Sequence, residues 1–344
     1  MKDVQLTLIG NIKNLVVGGL RINNMTRSII LIIIICSFCN SAFAQKIDHL
    51  SSYSDIQHTN YFRFNYDNDL FAGTDQNYTQ GFSFELVAPF LNANPLNHLF
   101  YRPKGFEIRY GISAEHIVFT PAKFELPEIQ EGDRPFAGAI YLKSFMIATD
   151  KEKAIRFTSS VSLGIIGPVA FGEEMQTGIH NITGSQIPLG WGNQIKNDLV
   201  LTYEMGIEKQ LLKVKDLFSL QAQSNVAIGT LFTGAGLGIN MTFGIVNSPF
   251  EIGKNNKDFK LYAYAAPTVN VIGYDATLQG GLLNNTSPYT IATKDVERVT
   301  GQFNYGIVLQ IKKVYLEYSR AAITREFATG HSAKWGGLKV GFGL

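Results

Sequence analysis

Along most of the chain, apolar and polar residues take turns one by one, and this period of two constrains the fold more than any other feature of the sequence. Phe303, Tyr305, Ile307, Leu309 and Ile311 fall on one face of an extended segment, with Gln302, Asn304, Gly306, Val308 and Gln310 on the other. Leu199, Leu201, Tyr203, Met205 and Ile207 repeat the pattern against Thr202, Glu204, Gly206 and Glu208. Such alternation marks β-strands with two different faces. The apolar face turns inward in a soluble sandwich but faces lipid in a membrane barrel, where the polar face lines the interior.

The N-terminus favours export. Met25-Thr26-Arg27 opens a stretch that reads as a secretory signal peptide, so the functional start is expected at Met25. Arg27 supplies the positive region, Ile29 to Phe38 the apolar run, and Ser41-Ala42-Phe43-Ala44 the small-residue cleavage pattern before Gln45. Residues 1–44 are therefore expected to be an N-terminal extension and signal peptide, 45–60 a polar periplasmic lead-in, and 61–344 an outer-membrane β-barrel. Cys36 and Cys39, the two cysteines, lie in the part expected to be removed, which leaves no thiol for a disulfide, a metal site or a nucleophile. No stretch after residue 45 is long and apolar enough to span a bilayer as a helix. A net charge of +2 without a long basic run argues against nucleic acid as a partner.

Together these features predict an all-β fold, a transmembrane antiparallel barrel of twelve strands, an even number as closure requires. Strands are expected to begin near residues 61, 81, 106, 137, 154, 199, 219, 234, 259, 300, 314 and 335. The many tyrosines and phenylalanines suit interfacial girdles. The final run, Trp335 to Leu344, ends in mid-strand, in the manner of barrels folded by the outer-membrane assembly machinery, the one partner expected during biogenesis. Lys312-Lys313 reads as a periplasmic turn, and residues 67–79, 120–135, 167–197 and 274–296 as extracellular loops. The interior, lined by Glu204, Glu208, Gln302 and Gln310, suits either a plug or water.

The loops carry the residues capable of chemistry. Asp67-Asn68-Asp69 through Tyr78-Thr79-Gln80-Gly81 is rich in oxygen donors, which suits either a hard cation such as calcium or a solvated turn. In Glu173 to His180, Gln176 and His180 share a face if the stretch is helical, and a neutral imidazole there is a possible general base on water. Asp133-Arg134-Pro135 reads as an acid–base pair that locks its loop to the barrel rim. No Gly-x-Ser-x-Gly elbow is present.

Several separated motifs, in order, resemble the lipid A 3'-O-deacylase family of outer-membrane enzymes. They are Asn68-Asp69 with Tyr78-Thr79-x-Gly81; Phe119-Thr120-Pro121 with Gly132-Asp133-Arg134-Pro135-Phe136-Ala137; Ile166-Gly167-Pro168 with Gln176 and His180; Gly190-Trp191-x-Asn193-Gln194; Thr277-Leu278-Gln279-Gly280; and Arg325-Glu326-Phe327. The resemblance implies a twelve-stranded barrel with a short extracellular loop helix around Gln176–His180, its site lying between barrel wall and helix. It also implies Ca2+-dependent ester hydrolysis of lipid A or lipopolysaccharide in the outer leaflet; the chain itself is expected to be a monomer. On that likeness His180 activates water, Gln176 positions water or substrate, Thr79 joins the active site, and Asn68 and Asp69 hold the metal.

Two departures accompany it. Gln186 stands where the best-known branch has a Glu, which implies weaker calcium binding, and Phe124-Glu125 falls where that branch has a Lys-Arg pair, which implies a lost phosphate clamp. Alternatives are a hydrolase of another outer-leaflet lipid and a non-enzymatic pore or structural barrel.

Overall fold

The computed structural model describes residues 50–72, 77–246, 248–250 and 258–344. The expected extension and signal peptide, with Cys36 and Cys39, lie outside the described residues. The strands are β1 Tyr61–Asn68, β2 Asn77–Val87, β3 Glu107–Thr120, β4 Ala137–Asp150, β5 Ile155–Ile166 and β6 Asp198–Val214. They continue as β7 Phe218–Gly229, β8 Phe232–Ile245, β9 Phe259–Asp275, β10 Val299–Ile311, β11 Val314–Ile323 and β12 Ala333–Gly343. Each pairs antiparallel with its sequence neighbours, and β1 pairs with β12 to close the barrel. Closure leaves no edge strand, so backbone groups are satisfied within the sheet wherever lipid surrounds it.

The two faces divide as the alternation requires. Phe303, Tyr305, Ile307 and Ile311 on β10 and Leu199, Leu201, Met205 and Ile207 on β6 are exposed on the outside. The intervening positions turn into a lumen held by buried ion pairs: Arg63 with Glu85 at 2.9 Å, Lys143 with Glu115 at 2.8 Å, and Lys339 with Glu317 at 2.9 Å.

The segment read as a periplasmic lead-in does more than lead in, because its described part lies inside the barrel. Ser51 to Gln57 are all buried. Asp55 takes Arg109 of β3 at 2.7 Å and Arg156 of β5 at 2.8 Å. Burial alone would raise the Asp55 carboxyl, but the charges and hydrogen bonds of Arg109 and Arg156 outweigh it and hold the group well below the usual carboxylate range. Ser52 donates from its backbone N to Glu208 at 2.8 Å, Ser54 donates to Glu317 at 2.9 Å, and Gln57 accepts from Lys260 at 2.6 Å. A polar lead-in survives in this lumen because strands on several sides of it offer charged or hydrogen-bonding partners. Glu208 and Gln310 meet this plug, whereas Glu204 and Gln302 line a polar cavity beside it with Gln223, Asn225, Asn270 and Asn304.

Residues 69–76, 121–136, 167–197, 276–298 and 324–332 connect strands at one end of the barrel, and the two-residue turn Lys312-Lys313 lies at the other. The long loops therefore share one side, as expected. Strand β2 begins at Asn77 rather than near 81, so Thr79 belongs to a strand. The turn-side connection 88–106 folds back over the outside of the barrel, with Ala88, Leu91 and Phe100 against the outward residues Tyr110, Met146 and Ala148.

Candidate functional site

Outward positions high on the wall should meet lipid, yet several are polar and deeply buried. Successive register pairs trace one row across the outer face of six strands: Arg320, Gly336, Asn68, Gln80, Val118 and Gly138. Gln80 and Val118 are almost fully covered although they share parity with Phe84 and Ile112, which are exposed. The cover is made by two loops, each entering over a glycine.

At one end of the row, a side chain on Gly336 would strike the Cβ of Phe71 at 2.7 Å, because the short turn Asp69–Ala72 lies against β12 there. Arg320 donates to the Phe71 carbonyl and ties that turn down. At the other end, a Cβ on Gly138 would come within 3.2 Å of the Gly172 Cα, so backbone meets backbone. Gly172 begins helix α1, Gly172–Thr183. Glu173 and Glu174 in its first turn suit the positive end of the helix dipole, and Gly184, with φ of 71°, ends it in a left-handed cap. Phe171, just before the helix, also holds a left-handed φ of 59°, a conformation that costs a bulky residue energy and persists where surrounding contacts enforce it.

The buried face of α1 is Gly172, Gln176 and His180, at intervals of one helical turn. Two aromatic residues join it to the row. Trp191 donates from Nε1 to Gln176 Oε1 at 2.8 Å, and Phe124 meets the His180 ring edge-on at 5.4 Å. Phe124, Trp191 and Phe136 form one buried cluster with Val118, so the Gln176 and His180 side chains are held over the wall at Val118, the register partner of Gln80.

The His180 ring has one nitrogen assigned. Its Nδ1 meets the backbone carbonyl of Gln186, which only accepts, so Nδ1 carries the proton and Nε2 keeps the lone pair. The departure at position 186 leaves this contact untouched, since the backbone makes it and the Gln186 side chain is exposed. Gln176 Nε2 and Gln80 Nε2 are buried without a hydrogen-bond acceptor. Each such orphaned donor costs about 1–3 kcal/mol. Two of them beside one seam mark a place built to receive an acceptor.

The remaining expected residues lie around this seam. Asn68 ends β1 on the outer face and donates to the Tyr66 hydroxyl at 3.1 Å, and Asp69 begins the adjoining turn, buried. Thr79 is the extra residue of a bulge between the pairs Tyr78–Phe119 and Gln80–Val118, and its hydroxyl meets that of Thr120 at 2.6 Å. Among the described residues, no hydrogen bond joins His180 or Gln176 to Asn68 or Asp69. His116, also outward on β3, donates from Nε2 to the Ala170 carbonyl at 2.6 Å and anchors the segment leading into α1.

Other motif residues lie away from the seam and close the barrel top. Arg134 pairs with Glu326 at 2.9 Å, donates to Thr277 Oγ1 at 3.0 Å and stacks over Phe119 at 4.2 Å. This corrects the expected Asp133–Arg134 pair: the Asp133 carboxylate instead accepts backbone N–H groups of Ala122 and Arg134. Adjacency in sequence favours the short pair, but Arg134 points inward to Glu326, 192 residues further along the chain.

Sequence reasoning assigned no role to Gln80, Thr120, His116 or Trp191. A usable signal existed for Gln80 and His116, since each is a polar residue continuing a lipid-facing series, Phe82-Phe84-Leu86 for one and Ile112-Ala114 for the other.

Fold and seam together define a class: closed membrane barrels that carry a candidate site on the outer wall, under an extracellular loop helix. The chain matches, over residues 30–344, the family described as outer membrane protein LpxR, and it belongs to that family, the one its motifs resemble. It is accordingly a protein of the cell outer membrane. Among solved structures, LpxR from Salmonella typhimurium has the same fold at a TM-score of 0.69 and 18% identity, covering 83% of this chain and 100% of that one. The β domain of the Bordetella autotransporter BrkA aligns at a TM-score of 0.43 and 7% identity, covering 83% and 99%. No curated protein matches the chain.

Proposed function

We propose that the chain is an outer-leaflet esterase that removes a 3'-linked acyl or acyloxyacyl chain from lipid A through His180-activated attack of water. The observation that carries this reading is the fixed His180 tautomer: with Nδ1 tied to the Gln186 carbonyl, the Nε2 lone pair is the one left to take a proton from water. Water oxygen bonds to the acyl carbon, the carbonyl becomes an oxyanion, and the proton on Nε2 passes to the departing sugar oxygen as the tetrahedral intermediate collapses. Gln176, its rotamer held by Trp191, orients the ester in the seam.

Asp69 and Asn68, with the Thr79 and Thr120 hydroxyls on neighbouring strands, offer oxygen donors only, the chemistry of a hard cation. With one carboxylate among them, Ca2+ would be held weakly by Asp69 and Asn68, where it would polarise the acyl carbonyl. The plug and the Arg134 cap support enzyme over pore, since each sets buried, ion-paired side chains across part of the lumen. Mass spectrometry of lipid A from cells expressing wild type or His180→Ala tests the reading. Loss of one ester-linked chain in the first and intact lipid A in the second is expected; intact lipid A in both sinks it. A related reading, hydrolysis of another outer-leaflet lipid, draws on Phe124, which faces His180 with a ring where a phosphate clamp was sought. Presenting the purified barrel with lipid A and with phospholipid separates the two.

A further inference from the structure

We infer that Gln80 is a catalytic residue of this site: its Nε2, with Gln176 Nε2, forms a pair of amide donors for the carbonyl oxygen of the ester as it becomes an oxyanion. The inference rests on the esterase reading and adds to it a residue that the motifs left as a spacer between Thr79 and Gly81.

Three observations carry it. Gln80 occupies an outward position on β2 in register with Asn68 on one side and Val118 on the other, so it stands between the Asn68–Asp69 end of the seam and the Trp191 cluster. It is 1% exposed, and its Nε2 is buried without an acceptor. Gln176 Nε2 is in the same state, its own oxygen already used by Trp191 Nε1. An amide NH2 group can donate but not accept through its nitrogen, so the missing partner is an oxygen with a lone pair to give. In a site where water adds to an acyl carbon, the group that gains charge in the transition state is the carbonyl oxygen. Fixed donors buried away from water stabilise it most, because they need no reorganisation as charge develops.

Gln80 reaches this place by simple alternation, since it continues the outward series of Phe82, Phe84 and Leu86, while the extra residue Thr79 just above it turns Tyr78 inward.

The test uses the full barrel, refolded in detergent and supplied with lipid A in mixed micelles, and reads fatty-acid release as kcat and KM. Gln80→Met keeps size and removes the donor; Gln80→Glu keeps shape and replaces the donor with an acceptor. Both are expected to lower kcat about 10²- to 10³-fold with KM within a few fold, as for loss of an oxyanion donor. Heat-modifiable migration on gels should be unchanged, showing that the barrel has closed. Gln80→Met together with Gln176→Met should lose less than the product of the single losses, because the two donors serve one oxygen. A folded Gln80→Met barrel with kcat within threefold of wild type, or with the loss confined to KM, overturns the inference while leaving His180 chemistry standing. A wild-type barrel that releases no fatty acid overturns the esterase reading and the inference with it.

Discussion

Replacing Asp55 by Ala should release the segment that fills the lumen. The carboxylate takes Arg109 at 2.7 Å and Arg156 at 2.8 Å with all three side chains buried. Its loss leaves two guanidinium groups facing each other across a gap, and breaking a buried pair from one side costs about 3–5 kcal/mol. At about 1.4 kcal/mol per factor of ten, the undocked population should rise roughly 10²- to 10³-fold, the lower figure applying where lumen water reaches the arginines. A chain starting at Gln45 lacks both Cys36 and Cys39, so a single cysteine at position 52, in the Ser52→Cys variant, reports docking through its rate of maleimide labelling. When opening is fast, that rate follows the open population. Ser52→Cys with Asp55→Ala should label at least about a hundred times faster than Ser52→Cys alone, the lower bound of that range. Equal rates would refute the role given to the Asp55 charge. The sign of the pH response follows from the depressed Asp55 pKa: the contribution is complete above the unfolded value of about 3.9 and is lost as pH falls through the lower folded value. Labelling, normalised to an exposed cysteine, should stay level from neutral pH to about pH 5 and rise only in strong acid.

Gly138→Val should push the start of the loop helix off the wall, since even one added carbon comes within 3.2 Å of the Gly172 Cα; hydrolysis should fall at least about tenfold while the barrel still folds, and wild-type rates would remove the glycine contact from the account. Trp191→Phe keeps a ring against Phe136 but removes the donor to Gln176 Oε1, a loss of about 0.5–1.5 kcal/mol and so up to about tenfold in kcat; an unchanged kcat would show that Gln176 needs no holding. Glu326→Ala should leave Arg134 without its ion pair at the barrel top, at about 3–5 kcal/mol, and expose loop 324–332 to trypsin; resistance equal to wild type would mean that Thr277 and Phe119 hold the cap unaided.

The strands were legible because their two faces meet two different media, and a period of two runs through most of their length, broken locally by bulges such as that at Thr79. The outward series on β6 and β10 are the same residues in sequence and in space. The lead-in was harder to read: Ser51 to Gln57 are mostly polar, and polarity alone does not separate a segment in water from one surrounded by charged lumen residues. The connection 88–106 gave no warning that it would lie along the outer wall, because its partners Tyr110, Met146 and Ala148 read as ordinary lipid-facing positions. For the site, chain position suggested Gln176 and His180 as a pair at helical spacing, and the structure has them on one buried helix face. The row from Arg320 to Gly138 was invisible, since it depends on the stagger of six strands. No reading of separate segments carries that stagger.

On the esterase reading, a lipid that uses a seam on the barrel wall would arrive by sliding within one leaflet. Encounter is then a two-dimensional search. Its rate scales with molecules per unit area of membrane, and dilution of the surrounding water leaves it unchanged. A detached acyl chain would likewise stay in the leaflet it came from, so on that reading each turnover would change how tightly that leaflet is packed around the barrel.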